Sequence, residues 1–165
     1  MSAIKRLNGP LGGFYGQKGE STTLIEETTR VINVTSATYT ITEAEAGALF
    51  LCNRAGGIAF TLPAIAPGLK YRFLVQTTFT GSGTITAAAG DLLIGGVTMV
   101  SASNVCTGYW ADNSDDLILT MNGTTTGGLF GSYIEVEAVG KFGIDGRWVV
   151  TGFNKHSDSV ATPFS

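Results

Sequence analysis

Few side chains in this sequence have the chemistry that covalent catalysis requires. His156 is the only histidine, and no Gly-x-Ser-x-Gly turn is present to hold a serine nucleophile. His156 follows the last predicted strand in a polar tail, where we expect a mobile or partner-bound position. Nucleophilic catalysis is therefore not predicted, and the sequence favours a protein that is not an enzyme.

A pair of carboxylates is the second chemical possibility. Glu135 and Glu137 alternate along one predicted strand, so they share a face and lie roughly 6.6 Å apart along the chain. Two carboxylates separated by either about 5–5.5 Å or about 6.5–9.5 Å can cleave glycosidic bonds. Alternating acidic residues on the solvent side of a strand more often add solubility or protect an edge. We favour that second interpretation.

The candidates for metal binding are weak. Cys52 and Cys106 form no Cys-x-x-Cys motif and have only one histidine to join them, so we expect two buried free thiols. Residues 112–116 have the composition of a calcium loop, but Leu117 stands where an EF-hand loop needs glycine. A polar turn between two strands is the simpler interpretation, and we predict no metal and no other cofactor.

The elements that position these residues are predicted to be short β-strands. From Val31 onward, segments rich in Thr, Val, Ile and aromatic residues alternate with Gly, Pro, Asn and Asp, which predicts a dozen strands. The glycine-containing segments at residues 55–57, 81–83 and 95–96 are predicted to be hairpin turns. The sequence contains no exact repeat, so a solenoid is not predicted. We predict an all-β fold, a single β-sandwich or jelly-roll-like domain of short antiparallel strands. The core is expected to contain Tyr71, Phe73, Ile134, Val136 and Trp148.

The amino-acid composition changes along the sequence and divides the chain into three parts. Residues 1–30 are broken by glycines but carry Leu7, Leu11, Phe14 and Tyr15, which predicts an extended N-terminal arm that docks on a partner surface. Residues 31–153 form the predicted β-domain. Residues 154–165 are predicted to be a polar C-terminal tail, in which Phe164 has no explanation from the sequence.

Composition excludes several classes of partner. The chain has 165 residues, a net charge of −3 and only 14% charged residues, with a pI near 5.0 and a mean hydropathy of +0.24. Lys and Arg are scattered, so no basic stripe is available for a nucleic acid. No apolar run approaches the roughly 18 residues of a membrane span, and no secretory signal precedes the domain. Neither nucleic acid nor membrane is a predicted partner.

Two stretches of the chain resemble virion structural proteins of tailed bacteriophages. Residues 58–96 contain Thr61-Leu62-Pro63, the Tyr71 and Phe73 strand and Gly90-Asp91, and residues 131–152 end in Trp148-Val149-Val150-Thr151-Gly152. Together they cover about a third of the chain. The resemblance implies a small β-domain of a capsid decoration (cement) protein, or of a tail- or fibre-associated module.

The resemblance also implies a location and partners. A decoration protein binds the major capsid protein on the capsid exterior, is made in the host cytoplasm, and forms homo-oligomers, for which a trimer suits the local three-fold sites of a capsid. Leu7, Leu11, Phe14 and Tyr15 would be its capsid contacts. In the alternative, a receptor- or carbohydrate-binding module, Tyr109 and Trp110 are candidate surface contacts that would form a stacking platform if both are exposed.

Overall fold

The computed structural model describes residues 29–112, 115–142 and 145–165, so the predicted arm contacts between Leu7 and Tyr15 lie outside the described residues. The described parts contain eleven strands and one 3₁₀ turn, Glu43–Glu45. The strands are β1 (Val31–Val34), β2 (Thr38–Thr40), β3 (Leu49–Cys52), β4 (Ala59–Thr61), β5 (Lys70–Val75), β6 (Gly83–Thr86), β7 (Asp91–Ser101), β8 (Cys106–Asp112), β9 (Ile118–Met121), β10 (Tyr133–Phe142) and β11 (Asp145–His156).

The strands form two sheets, which confirms the predicted all-β sandwich. The larger sheet has seven strands in the order β1-β3-β5-β10-β11-β7-β8, and the smaller has four in the order β2-β4-β6-β9. Both sheets are mixed, which corrects the expectation of antiparallel strands alone. The parallel pairs are β1 with β3, β3 with β5, β2 with β4, β4 with β6, and β7 with β11.

The parallel pairs arise because the chain winds between the two sheets over its first six strands. Odd-numbered strands join the large sheet and even-numbered strands join the small one. Successive partners are unequally spaced, since Val31 pairs with Leu49 and Leu49 with Arg72, so the winding leaves no fixed sequence period. The glycine turns at residues 55–57 and 81–83 therefore connect strands of different sheets, and the predicted hairpins there are wrong.

The core lies between the facing sheets and contains all five residues predicted for it. Strand alternation directs one face of each strand inward, as the pattern of β5 shows. Aromatic rings join the layers: Phe60 of the small sheet lies 5.8 Å from Phe50 and 4.9 Å from Phe73 of the large sheet, measured between ring centroids. These separations suit edge-to-face packing.

The predicted C-terminal tail belongs to the β-domain instead. β11 continues to His156, and Asn154 and His156 are buried within it. Further on, Phe164 is buried and forms a bridge with Leu119 of β9. The carbonyl of Ser165 accepts hydrogen bonds from β9 at 2.7 Å and from the residue before it at 2.9 Å. The last residues thus cover the outer edge of β9, which explains Phe164.

Candidate functional site

The most extensive surface formed by regular structure is the outer face of the large sheet, the face that points away from the small sheet. Alternation along β10 sends Ile134, Val136 and Ala138 into the core and leaves Tyr133 and Glu135 on the outer face. The register of neighbouring strands then places the outward residues in rows across the sheet. Two such rows have distinct chemistry, one charged and one apolar.

The charged row is an ion-pair cluster centred on Lys70. The Lys70 ammonium lies 2.7 Å from the carboxylate of Glu135 and 3.6 Å from that of Glu137. The hydrogen bond to Glu135 raises the pKa of Lys70, and burial together with the Glu135 charge raises the pKa of Tyr133. Lys70 thus pairs with both carboxylates. This arrangement agrees better with a solubilising role for the two glutamates than with a pair of catalytic carboxylates.

The apolar row, which we call the outer stripe, consists of Leu51, Leu74, Tyr133 and Phe153. Register aligns them on β3, β5, β10 and β11: Leu51 pairs with Leu74, Leu74 with Tyr133, and Tyr133 with Phe153. The first three are half-buried, and Phe153 is 42% exposed. Sequence reasoning missed this stripe. A signal for it was present in β3, whose four residues are all apolar.

Tyr109 and Trp110 are consecutive residues of β8, so their side chains point to opposite faces of the sheet. Trp110 is 75% exposed on the outer face, beside Gly96 in the register of β7. Tyr109 is half-buried and packs against the core. The two rings therefore do not form one stacking platform, because Trp110 is exposed and Tyr109 is not.

The segment between β8 and β9 has a structural role for its acidic residues. Residues 113–114 lie outside the described ranges. Asp116 is buried, its carboxylate accepts a hydrogen bond from the backbone N–H of Asp112 at 2.7 Å, and its carbonyl accepts one from Leu93 at 2.8 Å. In the described parts of the chain, no group of three or more His, Cys, Asp or Glu residues is placed to hold a metal ion.

The remaining reactive side chains are separated from one another. His156 is buried at the end of β11, with Nδ1 2.6 Å from the carbonyl oxygen of Asp158, which corrects the expected mobile or partner-bound position. Cys52 is buried as expected, and burial raises the pKa of its thiol to about 12. Cys106 is exposed on edge strand β8, contrary to expectation, because its side chain points outward like that of Trp110.

Comparisons with protein-family models, curated proteins and solved structures find no match for this chain. Among the residues that the structure describes, no helix has the length and apolar character needed to cross a membrane. The site must therefore be interpreted from its own geometry. That geometry is a broad sheet face with an apolar stripe, an ion-pair cluster and an exposed tryptophan, and it suits binding to another surface.

Proposed function

We propose that this chain is a structural virion protein that binds and stabilises a bacteriophage capsid as a decoration protein. The resemblance of residues 58–96 and 131–152 to phage virion proteins supports this role. So does the low charged fraction of 14%, which suits a surface shared with neighbouring subunits. The proposed partners are the major capsid protein and further copies of the chain, with a trimer on the capsid exterior. The proposed action is cohesion without catalysis.

The observation that carries the proposal is the exposure of large aromatic side chains at one end of the outer face. Phe153 is 42% exposed and Phe130 is 65% exposed. The Lys155 ammonium, on the outer face of β11, donates to the carbonyl of Phe130 at 3.4 Å, which places Phe130 near Phe153. Aromatic side chains are enriched in protein interfaces and dominate their binding energy. This end of the face is the proposed capsid contact within the described residues.

Gold-labelled antibodies against the protein, applied to purified phage particles, test the proposal. We expect label over the capsid, and cryo-electron microscopy should show matching density on the shell. Label on tails or fibres alone, or no label on intact particles, would reject the capsid role. A Phe153→Glu variant should fail to bind stripped capsids, whereas Trp110→Ala, which removes a more exposed aromatic ring elsewhere on the face, should bind normally.

A second function, a carbohydrate-binding module of a phage tail or fibre, is favoured by Trp110 alone. Its ring is 75% exposed, lies in register with Gly96, which has no side chain to cover it, and is diagonally opposite Ile94 and Thr98. Sugar rings stack on such surfaces. The other tryptophan, Trp148, is buried, so changes in emission on titration with host polysaccharide would report Trp110. A change in tryptophan fluorescence that occurs on addition of the polysaccharide and is absent in Trp110→Ala would support this function over the capsid role.

A further inference from the structure

Strand β8 is the longest sheet edge that remains uncovered in the described parts of the chain. It has seven residues, whereas the edge strands β1 and β2 have four and three. The remaining edge, β9, is covered by the end of the chain, because Thr120 donates to the carbonyl of Pro163 at 2.7 Å. β8 has no bulge in its pairing with β7 and contains no Lys, Arg or Pro. Those are features that commonly prevent another strand from pairing with an edge.

The hydrogen bonds at the two ends of β8 show which of its backbone groups face β7. The Ser101 N–H donates to the carbonyl of Val105, just before β8, at 3.0 Å, so Val105 and every second residue after it bond to β7. At the other end, the Asp112 N–H donates at 2.7 Å to the carboxylate of Asp116, an acceptor outside β7, which agrees with this alternation. The even-numbered residues of β8 therefore direct their backbone groups towards the open edge.

Three residues in the middle of β8 present unpaired backbone groups at this edge. They are Cys106, Gly108 and Trp110. Within the described ranges, neither their N–H groups nor their carbonyls have a hydrogen-bond partner. Gly108 has nothing within 4 Å of the position of an added Cβ, so the centre of the edge is open. Such a row of donors and acceptors is a template for one more strand.

We infer that β8 pairs antiparallel with β8 of a second copy of the chain, across a two-fold axis at Gly108. Gly108 then lies opposite Gly108 of the second copy, and Cys106 lies opposite its Trp110. Each of these residues presents both an N–H and a carbonyl at the edge, so every pair exchanges two hydrogen bonds. The contact is self-complementary, as a two-fold interface requires, and it joins the two large sheets edge to edge.

The backbone groups at the ends of β8 distinguish this register from its neighbours. An axis one residue later would place Cys106 opposite Asp112, whose N–H already bonds to a carboxylate of its own chain. An axis one residue earlier would place Trp110 opposite Asn104, whose N–H already bonds to a carbonyl in its own turn. The axis at Gly108 pairs the three unpaired residues with one another.

The charge of the strand also permits the contact. Asp112 is the one charged residue of β8, and it lies far enough from Gly108 that the two carboxylates are about 27 Å apart along the paired strands. That separation exceeds the Debye length of about 8 Å at physiological ionic strength, so their repulsion is screened. The inference concerns two chains in solution and does not depend on the proposed capsid role or its trimer.

Charge substitutions at position 108 of the full-length chain test the inference by analytical ultracentrifugation. The wild type should form a dimer as its concentration rises. Gly108→Lys and Gly108→Glu should each weaken self-association about tenfold or more, because equal charges then meet at the axis. An equal mixture of the two variants should associate about tenfold or more tightly than either variant alone, because opposite charges then meet.

Thr98→Lys and Thr98→Glu are the matched controls. Thr98 is exposed and pairs with Gly108, one strand away from the edge. Across the inferred dimer, the two residues at position 98 lie three strand spacings or about 14 Å apart, so neither substitution should change association. A wild type that stays monomeric at about 1 mM, where association with a Kd of about 1 mM is visible, would overturn the inference. So would an oligomer that responds equally to charge at positions 98 and 108, or to neither.

Disulfide formation provides a second measurement that needs no charged side chain at the edge. Gly108→Cys is made in a Cys106→Ser background, in which the remaining Cys52 is buried. Residues paired in this way have Cα atoms about 5.5 Å apart, within the range of a disulfide. Oxidation should link two chains through position 108 about tenfold or more faster than through Thr98→Cys in the same background, because pairing raises the effective concentration of the thiols. Equal rates would place the interface elsewhere and overturn the inference.

Discussion

Trp148 and Trp110 place the same side chain in opposite surroundings. Trp148 is fully buried, 5.8 Å from Tyr71 between ring centroids, whereas Trp110 is 75% exposed. We expect Trp148→Ala to lower the free energy of unfolding by about 3–5 kcal/mol. Trp110→Ala should change it by no more than about 0.5 kcal/mol. Urea denaturation followed by circular dichroism measures both, and similar losses for the two variants would contradict the assignment of Trp148 to the core.

The carboxylate of Glu45 should make the stability of the fold depend on pH in the acid range. Its carboxylate accepts hydrogen bonds from the Tyr39 hydroxyl at 2.5 Å and from the backbone N–H and hydroxyl of Thr42 at 2.8 and 2.9 Å. Burial opposes ionisation, but the hydrogen bonds from Tyr39 and Thr42 outweigh it, so the pKa of Glu45 is lowered from its ordinary value of 4.5. A lowered pKa in the folded state means that the ionised form stabilises the protein.

The expected result is a stability difference between wild type and Glu45→Gln that changes with pH. The contribution of the charge is complete above the ordinary pKa of 4.5 and is lost as the pH falls through the lowered pKa of the folded state. Thermal unfolding should therefore show the largest difference near neutral pH and a smaller one in acid. Glu43→Gln, an exposed neighbour two residues away, is the matched control. A difference that does not shrink in acid would contradict the role of the Glu45 charge.

At the scale of elements, β7 shows how a pair of glycines can serve a strand rather than a turn. Gly95 and Gly96 lie inside β7, which corrects the predicted hairpin. Gly95 has φ of +91°, and a Cβ there would lie 2.4 Å from the carbonyl oxygen of Val150 on β11. The glycine therefore allows a local left-handed backbone and a close approach between two strands of the large sheet.

Alanine substitutions at Gly95 and at Gly108 should differ in their effect on stability. We expect Gly95→Ala to lower the free energy of unfolding by more than about 1 kcal/mol, because alanine meets both an unfavourable φ and a steric clash. Gly108→Ala, on the neighbouring strand β8, has nothing within 4 Å of the added Cβ and should be tolerated. Chemical denaturation of both variants decides the point, and equal tolerance would show that β7 relaxes around the added methyl group.

The alternation of apolar residues was sufficient to predict individual strands but not their partners. β5 and β10 were predicted with the correct buried face because every second residue is apolar. Alternation does not encode the direction of the neighbouring strand, so the parallel winding of β1 to β6 could not be inferred. The C-terminal pairing of Phe164 depends on long-range burial against Leu119, which local sequence does not report.

At the scale of the whole molecule, the candidate surface was predictable only in part. The exposure of Trp110 was anticipated as one of two outcomes, but the separation of Tyr109 onto the other face follows directly from strand alternation. The outer stripe is assembled by register from four strands that are distant in sequence. No single segment carries its pattern. The predicted arm contacts lie outside the described residues, so the role of the arm remains a proposal.

The last prediction concerns those arm residues in the proposed capsid role. Serine substitution of Leu7, Leu11, Phe14 and Tyr15 in the full-length chain should leave thermal unfolding unchanged, because the buried apolar residues of the described ranges begin at Val34 and fill the space between the two sheets. The same protein should dissociate from capsids roughly tenfold to a thousandfold faster, since lost interface contacts act mainly on the off-rate. Adding it to capsids stripped of the native protein, then washing and measuring occupancy, gives the comparison. Trp110→Ala serves as the control and should be retained. Equal retention of the two variants would reject the arm as the capsid contact, and loss of folding would show that the arm belongs to the core of the domain.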